Sequence, residues 1–145
     1  MPSEFFDKHE QQSIVEAIRL AEEETSGEIR VHIDKTCHED VLDRASYWFG
    51  KLEMHKTELR NGVLFYLSTS DRKFAIIGDA GINTKVSSDF WDETKELIIS
   101  HFKQGLYANG LVEGIKLCGQ QLKVHFPYQS NDVNELPNEI SFGKS

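Results

Sequence analysis

"NGVLFYLSTSDRKFAIIG", residues 61–78, decides the fold. Asn61-Gly62 is a turn signal. The run Val63-Leu64-Phe65-Tyr66-Leu67 is continuously apolar, as expected for a central strand covered on both faces. Ser68 to Arg72 is a short turn. Lys73-Phe74-Ala75-Ile76-Ile77-Gly78 then reads as another strand. A connection this short makes the two an antiparallel hairpin.

Upstream of the hairpin, residues 7–25 read as a helix, with Ile14, Ala17, Ile18 and Ala21 at helical spacing and Asp7 able to cap the start. Thr25-Ser26-Gly27 stops it. Residues 28–33 alternate, so Ile29, Val31 and Ile33 share one face of a half-buried strand that Asp34 ends. A polar loop covers 34–40. Asp40 can cap a second helix, whose apolar stripe is Val41, Leu42, Ala45, Trp48, Phe49 and Leu52.

Downstream, a loop over 79–89 leads to a helix from Phe90 to Phe102. Gly105 breaks it, and another helix runs from Leu106 to Val124 with Leu111, Ile115, Cys118 and Leu122 on one stripe. From Pro127 the chain is loop-like until Glu139-Ile140-Ser141-Phe142, which is predicted to take an edge-strand position. The expected fold is α/β: an α/β/α sandwich with a small central mixed sheet of about four strands and at least four flanking helices. One domain over residues 1–145 is expected, with 127–145 packed on it or partly disordered.

The composition fits a soluble globular domain, with 39% hydrophobic and 28% charged residues among 145. The net charge of −8 argues against nucleic-acid and anionic-membrane partners, which require basic patches, and permits cation binding. No apolar run approaches the ~20 residues of a membrane span. The start, MPSEFFDKHE, has no basic segment followed by an apolar one, so no signal peptide is read. Cys37 and Cys118 fit no CxxC pattern, and a reducing cytoplasm is the expected setting for a monomer.

Catalytic signatures are sparse. There is no GxSxG elbow, no P-loop and no zinc pattern. His32 lies on the strand face opposite Val31 and Ile33 and reads as a surface residue. Cys37-His38 is adjacent in sequence, which does not make a catalytic pair. Gly78-x-x-Gly81 lacks the third glycine of a dinucleotide fingerprint.

Hard-metal ligands are the better lead. Asp34 ends the first strand, Glu39 and Asp40 close the following loop, Asp79 ends the third strand, and Asp89 precedes the next helix with Asp92 and Glu93. If the strands ending at Ile33 and Gly78 run parallel, their loops meet at one sheet edge. Asp34, Glu39, Asp40, Asp79 and Asp89 would then share a site for calcium or another divalent ion such as magnesium. Five carboxylates exceed the charge of one divalent ion, which leaves room for two. Each acid also has a plain role: Asp40 and Asp89 as helix caps, Asp79 as a turn residue, and Asp92 and Glu93 as neighbours of a positive helix end.

The runs "SGEIRVHI", "RNGVLFYLSTSDRKFAIIGDAGI", the Phe90-Trp91 pair and "FKQGLYANGLVEGI" resemble the TPM domain family over about residues 7–125. The ending "HFPYQSNDVNELPNEISFG" is similar to a bacterial branch of small, stand-alone members. The resemblance implies an α/β/α sandwich and divalent-cation binding, calcium included, in loops beside the sheet. It carries the cation role onto Asp79 in "GDAGI". The family also includes an acid phosphatase of the plant thylakoid lumen and a nematode membrane protein that modulates acetylcholine receptors. Many bacterial members carry a signal peptide and an anchor, neither of which is expected in this chain.

Three functions are therefore expected to compete. One is a divalent-metal-binding module whose loops order on the ion and which regulates a protein partner. The second is a metal-dependent phosphatase, for which Asp71-Arg72 is the nearest acid–base pair, itself readable as a surface salt bridge. The third is a protein-interaction domain without metal. With no nucleophile beside an activating base, enzymatic activity is expected to be weak or absent.

Overall fold

The computed structural model describes residues 4–129 and 135–143. In chain order the elements are α1 (Lys8–Glu22), β1 (Glu28–Asp34), α2 (Val41–Lys51), β2 (Gly62–Ser68), β3 (Lys73–Gly78), α3 (Ala80–Asn83), α4 (Asp92–Lys103), α5 (Tyr107–His125) and β4 (Ser141–Phe142). The sheet order is β3-β2-β1-β4. The expected hairpin is present, β2 and β3 pairing antiparallel from Val63 opposite Gly78 to Ser68 opposite Lys73. β1 pairs parallel with β2, Glu28 opposite Gly62 and Asp34 opposite Ser68, so α2 is the crossover between them.

Local chemistry sets the element ends. Asp7 and Glu10 form a reciprocal capping box at α1: the Glu10 amide donates to Asp7 Oδ1 at 2.7 Å and the Asp7 amide to Glu10 Oε1 at 3.0 Å. Asp40 caps α2 as expected, accepting from the Leu42 and Asp43 amides. Asp89 does not cap α4. That helix begins at Asp92 with Trp91 at the cap position, and Asp89 contributes only its backbone carbonyl to the Asp92 amide.

The sheet has two unlike faces. Ile29, Val31, Ile33, Val63, Phe65, Leu67 and Ile76 build the main core with the apolar stripes of α1, α4 and α5. The opposite face carries Tyr66 and Ala75 against Cys37 and Ala45, and Leu64 against Met54 and Leu136, with α2 above them. The expected edge strand forms at Ser141–Phe142, parallel to β1, with His32 opposite Ser141. The tail is held down earlier as well: the Ser26 amide donates to Phe126 O, and Leu136 is buried. Of the tail predicted to pack on the body, residues 130–134, 144 and 145 lie outside the described residues.

β1 departs from expectation. A half-buried strand was predicted, yet all seven residues are buried, including Glu28, Arg30, His32 and Asp34. The reason is lateral and vertical cover at once. β2 and β4 flank the strand, α2 lies above its polar face, and the returning tail closes the edge.

Gly81 is where two segments meet most closely. A Cβ there would lie 2.1 Å from Leu59 O and 2.5 Å from Arg60 O, both backbone atoms that cannot swing aside. Gly81→Ala is expected to cost about 2–3 kcal/mol by overpacking, read as a lower urea midpoint at unchanged slope. Gly50→Ala is the matched control. It sits in α2 with nothing within 4 Å of the added Cβ, and is expected to stabilise by up to about 1 kcal/mol. Equal midpoints for the two variants would show that the 59–60 backbone yields to a methyl group.

Candidate functional site

The topology separates the five carboxylates singled out above. β2 runs parallel to β1 and antiparallel to β3, so β1 and β3 run in opposite directions. Asp34 is level with Ser68, whereas Gly78 is level with Val63 at the other end of β2. Five strand residues, roughly 17 Å, separate those levels. The premise that these two strands deliver their loops to one edge is therefore corrected. Asp34, Glu39 and Asp40 share the carboxyl edge of β1. Asp79 lies at the opposite edge, with Asp89 further along its connection, accepting from the Ser87 hydroxyl. Among the described residues, no group of three or more His, Cys, Asp or Glu side chains is arranged to hold a metal ion.

Asp79 ends β3 and starts α3. Its carboxylate takes Arg60 through both Nε at 2.8 Å and Nη2 at 2.9 Å, and accepts from the Ala80 amide at 2.7 Å. Arg60 holds a positive φ of 52°, which turns the preceding loop toward α3.

At the other edge Asp34 is the centre of a buried polar cluster. Its Oδ2 accepts from Tyr66 OH at 2.6 Å, Trp48 Nε1 at 3.1 Å and Arg44 Nε at 3.4 Å, while Oδ1 lies 3.0 Å from His32 Nε2. Burial raises the Asp34 pKa, and the hydrogen bonds from His32 and Tyr66, with the charge of Arg44, outweigh it, so the carboxyl is held below its ordinary value. His32 is fully buried and stacked on Trp48 with ring centroids 3.8 Å apart. The reading of His32 as a surface residue is thus overturned. Burial lowers its pKa despite the partnering carboxylate, which keeps the imidazole neutral near pH 7. Its other nitrogen, Nδ1, lies 2.8 Å from Ser141 Oγ on β4.

The loop between β1 and α2 closes over the same edge. Lys73 Nζ donates to Cys37 O at 2.9 Å and to Glu39 O at 3.3 Å. The Cys37 amide donates to Asp71, whose carboxylate also accepts from Ser68 Oγ at 3.4 Å. Asp71 thus anchors the 35–40 loop to the β2–β3 turn instead of pairing with its neighbour Arg72. The Glu39 carboxylate is half-exposed and lies 3.6 Å from Arg44 Nη1.

Sequence reasoning missed Arg30, Tyr66, Trp48 and Ser141 as members of this region. A signal was present in the alternation Glu28, Arg30, His32, Asp34. If β1 is internal to the sheet, four ionisable side chains on one face must find partners.

The comparisons with known proteins follow this architecture. The chain is 50% identical to the BA42 protein of the psychrophilic bacterium Bizionia argentinensis, whose NMR structure it matches over 99% of each chain with a TM-score of 0.93. The N-terminal domain of a P. gingivalis protein, also solved by NMR, shares the fold at 17% identity, with a TM-score of 0.70 over 89% of this chain and 85% of that one. No curated protein matches the sequence. No helix among the described residues is long and apolar enough to cross a membrane. A sequence profile of the TPM domain matches residues 2–121, most of the chain and every element up to the last turn of α5. With that match the chain belongs to the TPM domain family.

Proposed function

We propose that this TPM domain is a divalent-cation-binding module, for calcium or magnesium, whose responsive element is the 35–40 loop. One observation carries the reading. The backbone carbonyls of Cys37 and Glu39 already turn toward a single cation, the Lys73 ammonium. Carbonyl and carboxylate oxygens gathered in an irregular loop are what a hard cation takes. The Glu39 side chain is half-exposed beside those carbonyls, Asp40 follows it, and Asp71 is tied to the same loop. The donor set fits such an ion once the Lys73 side chain moves aside. Asp34 is not in this set, because four protein donors already engage its carboxylate. The role is regulatory: a loop ordered by the ion changes the surface offered to a protein partner. Two buried free thiols, Cys37 and Cys118, suit a cytoplasmic setting.

The test is a calcium and magnesium titration followed by amide NMR, on wild type and on Lys73→Met. Shifts are expected at 35–40 and 69–73, with dissociation constants of about 10⁻⁵ M or weaker. Lys73→Met is expected to bind more tightly, since it removes the competing ammonium. At 100 times the dissociation constant the ion would stabilise the fold by about 2.7 kcal/mol. Unmoved 35–40 amides in both proteins sink the reading. Shifts confined to 79–89 would move the site to Asp79. Phosphate-ester turnover lost in Asp71→Asn would put the metal-dependent phosphatase in its place.

A further inference from the structure

Ser141, His32 and Asp34 form a continuous hydrogen-bonded chain, and its protonation follows from its partners. Tyr66 OH, Trp48 Nε1 and Arg44 Nε donate to Asp34 Oδ2, so this group stands as an ionised acceptor. His32 Nε2, 3.0 Å from Oδ1, must then carry a proton. In the neutral imidazole Nδ1 is bare, and Ser141 donates its hydroxyl proton to it across 2.8 Å. The serine oxygen keeps its lone pairs. Ser141 sits on the last strand of the sheet and is partly buried.

A cross-strand serine that merely completes a buried histidine would account for this chain, but not for Arg30. Arg30 shares the polar face of β1, two residues before His32. It is only 9% exposed, and its Nε has no hydrogen-bond partner. Its charge acts on His32 and interacts with the Glu139 carboxylate. A desolvated cation with an unused donor beside a serine–histidine pair is suited to a developing oxyanion.

We propose that Ser141 is a nucleophile for acyl transfer from carboxylic esters, with His32 as its base, Asp34 positioning the base and Arg30 facing the oxyanion. The Ser141 oxygen forms a bond to the ester carbonyl carbon as its proton passes to His32 Nδ1, and the carbonyl electron pair moves onto oxygen. Collapse breaks the carbon–alkoxy bond, and the leaving alcohol takes the proton from His32. Water repeats the sequence on the acyl-serine, releases the acid and restores the hydroxyl.

The test uses the full chain with a fluorophosphonate probe, and p-nitrophenyl esters of two to eight carbons as substrates. Expected are loss of fluoride to a covalent adduct on the Ser141 peptide, none in Ser141→Ala, and at least tenfold slower labelling in Arg30→Gln with its melting curve preserved. Ser141→Cys supplies a second reading. Its thiol should be alkylated by iodoacetamide at least tenfold faster than a free cysteine, while buried Cys37 and Cys118 stay unmodified. Labelling of Ser141 no faster than in the denatured chain, or alkylation of the new thiol at the free-cysteine rate, overturns the proposal.

Discussion

Asp34→Ala is expected to lower the stability of this domain by about 3–5 kcal/mol, the range for removing one partner of a buried charged network. The substitution leaves the Tyr66 hydroxyl, the Trp48 indole N–H and the His32 Nε2 proton facing an apolar void, and separates Arg44 from its acceptor. Each stranded donor carries its own desolvation cost of about 1–3 kcal/mol, and water entering the space recovers part of the sum. Urea unfolding followed by tryptophan fluorescence measures the change, because Trp48 reports on the cluster directly. Tyr66→Phe removes a single donor while the carboxylate keeps the others, so a loss of only about 1 kcal/mol is expected. If Asp34→Ala costs no more than Tyr66→Phe, the cluster does not act as a network.

Raising the pH from 5 to 9 is expected to destabilise the domain, and Glu22→Gln to remove much of that effect. Burial pushes the Glu22 pKa up to about 8, with the charge of Glu28 adding to it and the hydrogen bond from the Ile29 amide opposing it. Burial likewise raises Glu28 to about 7, against the hydrogen bond from the Leu136 amide and with the help of Glu135. Both groups hold their protons more tightly in the folded chain than in the unfolded one. Their stabilising contribution is therefore complete below the unfolded value of 4.5 and is lost as pH rises through about 7 and then about 8. At 1.36 kcal/mol per unit, and allowing for the partial exposure of Glu22, its ionisation costs about 3 kcal/mol by pH 9. Glutamine keeps an oxygen for the Ile29 amide and never ionises. Its expected signature is a melting temperature about 6–12 °C above wild type at pH 9 and no gain at pH 4. A pH-independent gain would trace the effect to packing. Asp34 and His32 act in the opposite sense: both have lowered values, so their contributions are lost on the acid side.

Much of the fold was legible because its signals are local. The apolar run of β2, the short turn to β3, the capping box at Asp7 and the stripe of Leu111, Ile115, Cys118 and Leu122 each depend on residues near one another in the chain. Even the edge strand at Ser141–Phe142 could be read from its position between a proline-marked loop and the terminus. The four-residue α3 could not, since one turn of helix leaves no periodicity to see. It forms because Asp79 caps it and Gly81 lets it lie against the 59–60 backbone.

The candidate sites were less legible, for a different reason. Asp34, Glu39, Asp40, Asp79 and Asp89 were visible as acids at element ends, and that chemistry belongs to the sequence. Whether two strand ends meet depends on strand direction, which is a property of the sheet and not of either segment. One antiparallel pairing, β2 with β3, placed Asp79 at the far edge from Asp34. In the same way, an alternating polar face reads as solvated until something covers it. His32 became a buried base-like imidazole only because Trp48 of α2 stacks above it and a strand more than a hundred residues away brings Ser141 alongside. By itself the sequence determined the longer elements, the two-layer cover of the sheet, the acidic charge and the lack, among the described residues, of a helix long and apolar enough to cross a membrane. The tertiary structure alone decided which charges are desolvated and which side chains share an edge, because both depend on contacts between segments that carry no mark of each other in the chain.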